Sequence, residues 1–142
     1  MPNYFNDGFG RPELDSKLAD LLAAPATGSV HVNLGTVSTS LVLNASQGVS
    51  TSFVATLTNG STANITATNV PSSGTAYTAE IELVQPASGS ASVNWFPGST
   101  VKYANGVSSL PMSTTSSKTD RFAARTRDGG ATWFVDIIGL GY

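Results

Sequence analysis

The 142-residue chain contains no cysteine, which removes disulfide staples, thiolate metal sites and a cysteine nucleophile at once. Charge is sparse as well. Only 11% of residues are Asp, Glu, Lys or Arg, and the formal net charge is −2. Binding DNA or RNA calls for a basic stripe or patch, so no nucleic-acid partner is expected. No apolar run approaches the roughly 18 residues of a membrane span, so no membrane partner is expected either. Residues Met1 to Asn6 have neither the basic nor the apolar segment of a signal peptide. The expectation is a soluble protein made in the cytoplasm.

What the chain does have is apolar content of 40%, which argues against disorder. Its polar filler is Ser, Thr, Ala, Gly and Asn in place of Lys and Glu. Such a surface is polar without being charged, and suits strands and loops better than exposed helices. At this length one domain with a real core is expected. Composition changes near Pro25–Gly28, dividing the chain into an N-terminal arm (1–28) and a β domain (29–142). Within the arm Leu14, Leu18, Leu21 and Leu22 fall on one face of a helix. Pro12 suits the first turn, Glu13 and Asp15 complement the helix dipole, and Pro25 ends the pattern. About three turns are too few to be stable alone. The leucine stripe is therefore expected to dock on the β domain, on a neighbouring subunit or on another protein. Ahead of it, Tyr4, Phe5, Phe9 and Arg11, spaced by Gly8 and Gly10, are expected to form an arm that contacts a partner.

From Ser29 onward the pattern is β. Val30 to Leu34, Phe53 to Leu57, Ala63 to Ala67 and Tyr77 to Leu83 alternate with period two. Turn signals separate such runs: Asn59-Gly60, Pro71-Ser72-Ser73-Gly74, Gly89, Pro97-Gly98, Asn105-Gly106 and Asp128-Gly129-Gly130. No internal repeat stands out. Roughly eight short strands at this spacing predict an all-β fold, an antiparallel β-sandwich of jelly-roll type, carrying the short helical arm. The last run differs. From Trp133 to Ile138 it is nearly apolar on both faces, with Phe134, Asp136 and Ile138 on the face opposite Trp133, Val135 and Ile137. A strand apolar on both faces needs a second cover, and another subunit is the expected one. Asp136 then needs a cation, with Arg121, Arg125 and Arg127 nearest in sequence.

The residues offer little for catalysis. The single histidine, His31, lies on the polar phase of a strand, as expected of a surface or interface residue. Glu80 and Glu82 share one strand face, a geometry suited to a solvated surface that discourages edge pairing and unsuited to opposed acid–base work. No metal-ligand spacing and no phosphate-binding glycine loop occurs. Neither catalytic residues nor a cofactor is therefore expected, and the chain is not read as an enzyme. Among aromatics able to stack on sugar, Trp95, Tyr103 and Trp133 stand out, although the apolar phase of Trp95 and Trp133 favours core packing.

The stretches Tyr77–Gln85, Ala91–Pro97 and Val101–Gly106, followed by Asp120–Arg125 and Thr126–Phe134 with its Asp-Gly-Gly-Ala-Thr-Trp sequence, resemble a recurrent β module of bacteriophage virion proteins. Tail-fibre and head-fibre domains carry it, and the resemblance covers about Tyr77 to Tyr142. The linker of that module corresponds to Ser108–Ser117. The resemblance implies a viral structural protein on the outer capsid surface of the virion. The leading expectation is a capsid decoration, or cement, protein that forms a homo-oligomer, a trimer for preference, and stabilises the shell. Tyr4, Phe5, Phe9 and Arg11 would contact the major capsid protein. Leu14, Leu18, Leu21, Leu22, Phe134, Asp136 and Ile138 would serve the oligomer interface or arm docking. The alternative is a short tail-fibre or head-fibre knob that binds host-surface glycan.

Overall fold

A computed structural model describes residues 30–142 of the chain. They form nine strands: β1 (Val30–Val37), β2 (Ser40–Asn44), β3 (Ser50–Leu57), β4 (Thr62–Thr68), β5 (Tyr77–Val84), β6 (Ser92–Trp95), β7 (Thr100–Tyr103), β8 (Thr119–Thr126) and β9 (Thr132–Gly139). Two short 3-10 turns, Ala45–Gln47 and Ala104–Gly106, are the only helical pieces among the described residues. The all-β class thus agrees with the alternating pattern. The helical arm, with Leu14, Leu18, Leu21 and Leu22, lies outside the described residues, as do Tyr4, Phe5, Phe9 and Arg11.

The predicted antiparallel, jelly-roll-like sandwich is not what forms. Five of the seven strand pairings are parallel. From β1 to β6 consecutive strands lie in different sheets: β1, β3 and β5 run side by side in a six-stranded sheet of order β1-β3-β5-β8-β9-β7, and β2, β4 and β6 form a three-stranded sheet. Each pair β1–β2, β3–β4 and β5–β6 is therefore one coil of a short solenoid, and the coils stack in parallel. The reason lies in the connections. Asn-Gly closes a tight hairpin when both residues take positive φ, but at Asn59-Gly60 only Gly60 does, at 69°. The turn passes the chain from one sheet to the other instead. Period-two alternation reports that one face is buried and is silent on strand direction. The coil repeat escapes a sequence search because its spacing drifts: Val30 is in register with Thr51, whereas Ser50 is in register with Thr78.

Beyond β5 the logic changes. β8 runs antiparallel to β5, and β9 antiparallel to β8. The β8–β9 hairpin turns through Asp128-Gly129-Gly130, as its sequence predicts, with φ of 73° and 87° at the two glycines. β7 then adds parallel to β9.

The core lies between the two sheets. Phe53, Leu57, Tyr77, Ile81, Leu83, Phe122 and Val135 of the larger sheet meet Leu41, Leu43 and Ile65 of the smaller. The larger sheet has three strands more than the smaller, so β8, β9 and β7 need another cover. Phe96 and Trp95 supply part of it. Phe96 stacks on Trp133 with centroids 3.9 Å apart and planes within 3°. Trp95 meets Phe122 edge-on at 5.0 Å. Leu110 and Met112, in the irregular segment between β7 and β8, pack half-buried against the same core. Trp95 and Trp133 are thus core residues, as their apolar phase implies.

Candidate functional site

The outer face of the six-stranded sheet gathers most of the charge among the described residues. Arg121 on β8 bonds Glu80 on β5, and its Nε lies 3.3 Å from Glu82 Oε1. These carboxylates raise the guanidinium pKa above its ordinary value, the hydrogen bond to Glu80 contributing most. Glu80 and Glu82 do share a face, but β5 is an inner strand between β3 and β8. They neutralise an arginine and do not guard an edge. His31 is exposed on β1, with Nδ1 3.2 Å from Ser52 Oγ on β3.

On β9 Phe134 and Asp136 project from this sheet face, but Ile138, expected there from its phase, sits at a register shift. Phe122 pairs with Ile137 and Arg121 with Gly139, so one extra residue breaks the alternation. Asp136 finds its cation in Arg125, whose Nη2 donates to Oδ2 at 2.8 Å. Arg121 is committed to the glutamates. Arg127 Cζ and Lys102 Nζ lie 5.9 and 5.7 Å from the Phe134 ring centroid, within cation–π range. Lys102 is a residue that sequence alone did not select. Its place here follows from the parallel register Lys102↔Phe134, which no local pattern predicts. The chain then ends at an apolar corner where Ile138 is 44% exposed and Tyr142 61% exposed, with Ile137 and Leu140 also open. Thr119 and Tyr142 exchange backbone hydrogen bonds at 3.1 and 3.2 Å, so this corner is tied to the sheet.

The face is therefore a half-buried phenyl ring between cations, beside an ion pair and an open apolar corner. Compared with known proteins, the chain matches no family model, and no curated protein or solved structure is significantly similar. Function therefore has to be read from this chain's own residues.

The rest of the molecule bears on that reading in two places. Among the described residues no three His, Asp or Glu gather to hold a metal ion, and no helix is long and apolar enough to cross a membrane. Trp95 and Tyr103 line one open groove beside β6, while Trp133 lines a separate hollow with Phe96 and Val70. A buried carboxylate, Asp120, also escaped sequence reasoning. It accepts from Ser113 N at 2.7 Å, Ser113 Oγ at 2.6 Å and Gly141 N at 2.9 Å. Its signal was available: Asp120 keeps the inward phase of Phe122, Ala124 and Thr126, and an inward carboxylate needs several donors.

Proposed function

We propose that this chain is a virion structural protein that decorates the outer capsid surface as a homo-oligomer, a trimer for preference. The observation that carries the reading is the outer face of β9. Phe134 lies half-buried between cations there, and Ile138 with the apolar corner beside it is exposed among the described residues, while the ion pair Arg125–Asp136 fixes the polar surround. A central apolar patch with aromatic and arginine side chains is how association surfaces are built. The resemblance of Tyr77–Tyr142 to phage virion modules supports the setting. In this reading Tyr4, Phe5, Phe9 and Arg11 bind the major capsid protein. The stripe Leu14, Leu18, Leu21 and Leu22 seats the arm on a neighbour.

The mechanism needs no chemistry. A protein that binds only the assembled shell stabilises it by linkage, about 2.7 kcal/mol per site at a hundredfold excess over Kd. Bridging several subunits adds avidity. The test is light scattering on the full chain, which is expected to give an oligomer. Ile138→Lys and Phe134→Ala are expected to shift it toward monomer without loss of folded structure by circular dichroism. A full chain that stays monomeric at high concentration overturns the proposal. Shells that bind protein lacking residues 1–28 as well as the full chain remove the arm from it.

A further inference from the structure

The groove beside β6 is a built site, and its chemistry differs from that of the β9 face. One wall is β6 itself, the edge strand of the three-stranded sheet. Ser92 N donates to Ser61 O at 3.0 Å and Phe96 N to Ile65 O at 2.9 Å. The even-numbered residues thus face β4, and the N–H and C=O groups of Val93 and Trp95 point off the sheet edge. The facing wall is the segment Ser108–Thr114. Asp120 holds that wall in place through its two bonds to Ser113. The rim at Gly60 is tied across to Ser90 O at 2.9 Å. Behind it Gln85 clamps Ala91, accepting from its N–H at 2.9 Å.

The groove encloses about 660 Å³, within the range of small-ligand sites. Its lining among the described residues contains no charged side chain. The hydroxyls of Ser90, Ser108, Ser109 and Thr114 and the exposed Asn94 amide provide hydrogen bonds, the half-buried Tyr103 ring provides the open aromatic surface, and the buried Trp95 lies beneath as floor. Burial raises the Tyr103 phenol pKa above its ordinary 10.0, so it stays a neutral donor and acceptor.

We infer that this groove binds a neutral oligosaccharide of two or three residues. Sugars present hydroxyls all round and an apolar ring face, which matches hydroxyl and amide walls beside the half-buried Tyr103 ring. An uncharged lining leaves an acidic sugar or a phosphate without a counter-charge. A peptide added as a further strand is the weaker match. β6 spans only Ser92–Trp95, and only Val93 and Trp95 turn backbone N–H and C=O groups off the edge. The inference stands apart from self-association through β9, so either can fail alone.

The test is amide chemical-shift mapping on the full chain with maltotriose, cellotriose and chitotriose as neutral probes, 3′-sialyllactose as a charged one, and a Thr-Val-Thr-Val-Thr peptide as a strand. At least one neutral trisaccharide is expected to move the amides of Ser92–Trp95 and Ser108–Thr114, with dissociation constants of about millimolar order. Tyr103→Ala is expected to weaken that binding roughly three- to tenfold. Asn94→Ala, on the exposed edge, is expected to weaken it as well, and stands as the readout if Tyr103→Ala misfolds. His31→Ala, on the far sheet face, is expected to change nothing. The inference is overturned if no neutral sugar moves these amides. It is overturned equally if the sialylated probe binds as well as the neutral ones, or if only the peptide binds.

Discussion

Tyr77 and Phe96 carry opposite lessons about single side chains. Tyr77 is fully buried, and its hydroxyl lies 2.7 Å from Thr51 Oγ1. Burial raises its pKa, and the Thr51 bond partly opposes the shift. The pair is one satisfied polar unit inside an apolar core, so half of it is worse than none. Tyr77→Phe is expected to cost about 1–3 kcal/mol in denaturant unfolding, because Thr51 loses its partner. Adding Thr51→Val to it is expected to cost less than the sum of the two single changes. Strict additivity would show that the bond contributes nothing. Phe96 holds φ at 41°, a region that bulky side chains avoid at about 1–3 kcal/mol. Its burial is worth about 1.5–3 kcal/mol, and stacking on Trp133 adds about 0.5–1.5 kcal/mol. Packing wins, and the Phe96-Pro97-Gly98 turn keeps a residue that backbone preference alone would reject.

The β8–β9 turn shows how a local motif becomes a pH-sensitive element. Asp128 Oδ1 accepts from Thr132 N at 2.9 Å and from Thr126 Oγ1 at 3.0 Å. These bonds, the Thr132 backbone N–H foremost, hold its pKa below the ordinary 3.8. The folded state thus prefers the carboxylate. That stabilisation is complete above 3.8 and disappears as pH falls through the lower folded value. Asp128→Asn is expected to flatten the loss of stability below that pH in acid titrations followed by fluorescence. An unchanged acid limb would deny the turn this role. Strand position sets a second expectation, for hydrogen exchange. β5 is paired on both sides, whereas β1 has one partner among the described residues. Amides of β5 are expected to be the slowest to exchange and those of β1 among the fastest. Equal protection in the two strands would contradict it.

These elements also mark how far sequence reaches. Alternation located β1, β3, β4 and β5, a continuous apolar run located β9, and Asp-Gly-Gly marked the one hairpin among the described residues, since these signals are local. β2 was missed because Ser40–Asn44 is too short to display a period. Strand direction was misread because a two-sheet coil and a hairpin share the same alternation. Of the β9 face, Phe134 and Asp136 were legible from phase, whereas the register shift beside Ile138 leaves no mark in the sequence. Lys102 and the choice of Arg125 over Arg121 depend on register across strands distant in sequence. The groove was legible only as separate aromatics, because Asp120 and Ser113 shape its wall through tertiary contacts.

Taken whole, the molecule joins a parallel coil stack to an antiparallel cap. Its sheets are six and three strands wide, and the cover over the excess strands comes from aromatic side chains and a pinned loop. Parallel neighbours such as β3 and β5 are far apart in sequence, so the chain must close long loops before the stack rewards it. Refolding followed by the fluorescence of Trp95 and Trp133, which sit where the sheets meet, is expected to take from milliseconds to seconds. Completion within microseconds would show that local structure, and not coil pairing, limits folding.

The middle coil has a further consequence. β3 and β4 each pair with a like strand on either side, in parallel and without a change of sheet. A segment with that property is a unit of growth: repeating it lengthens the stack while both ends keep their own surfaces. The distance between β1 and the β9 face is thus a quantity that coil number sets, separately from the chemistry at either end.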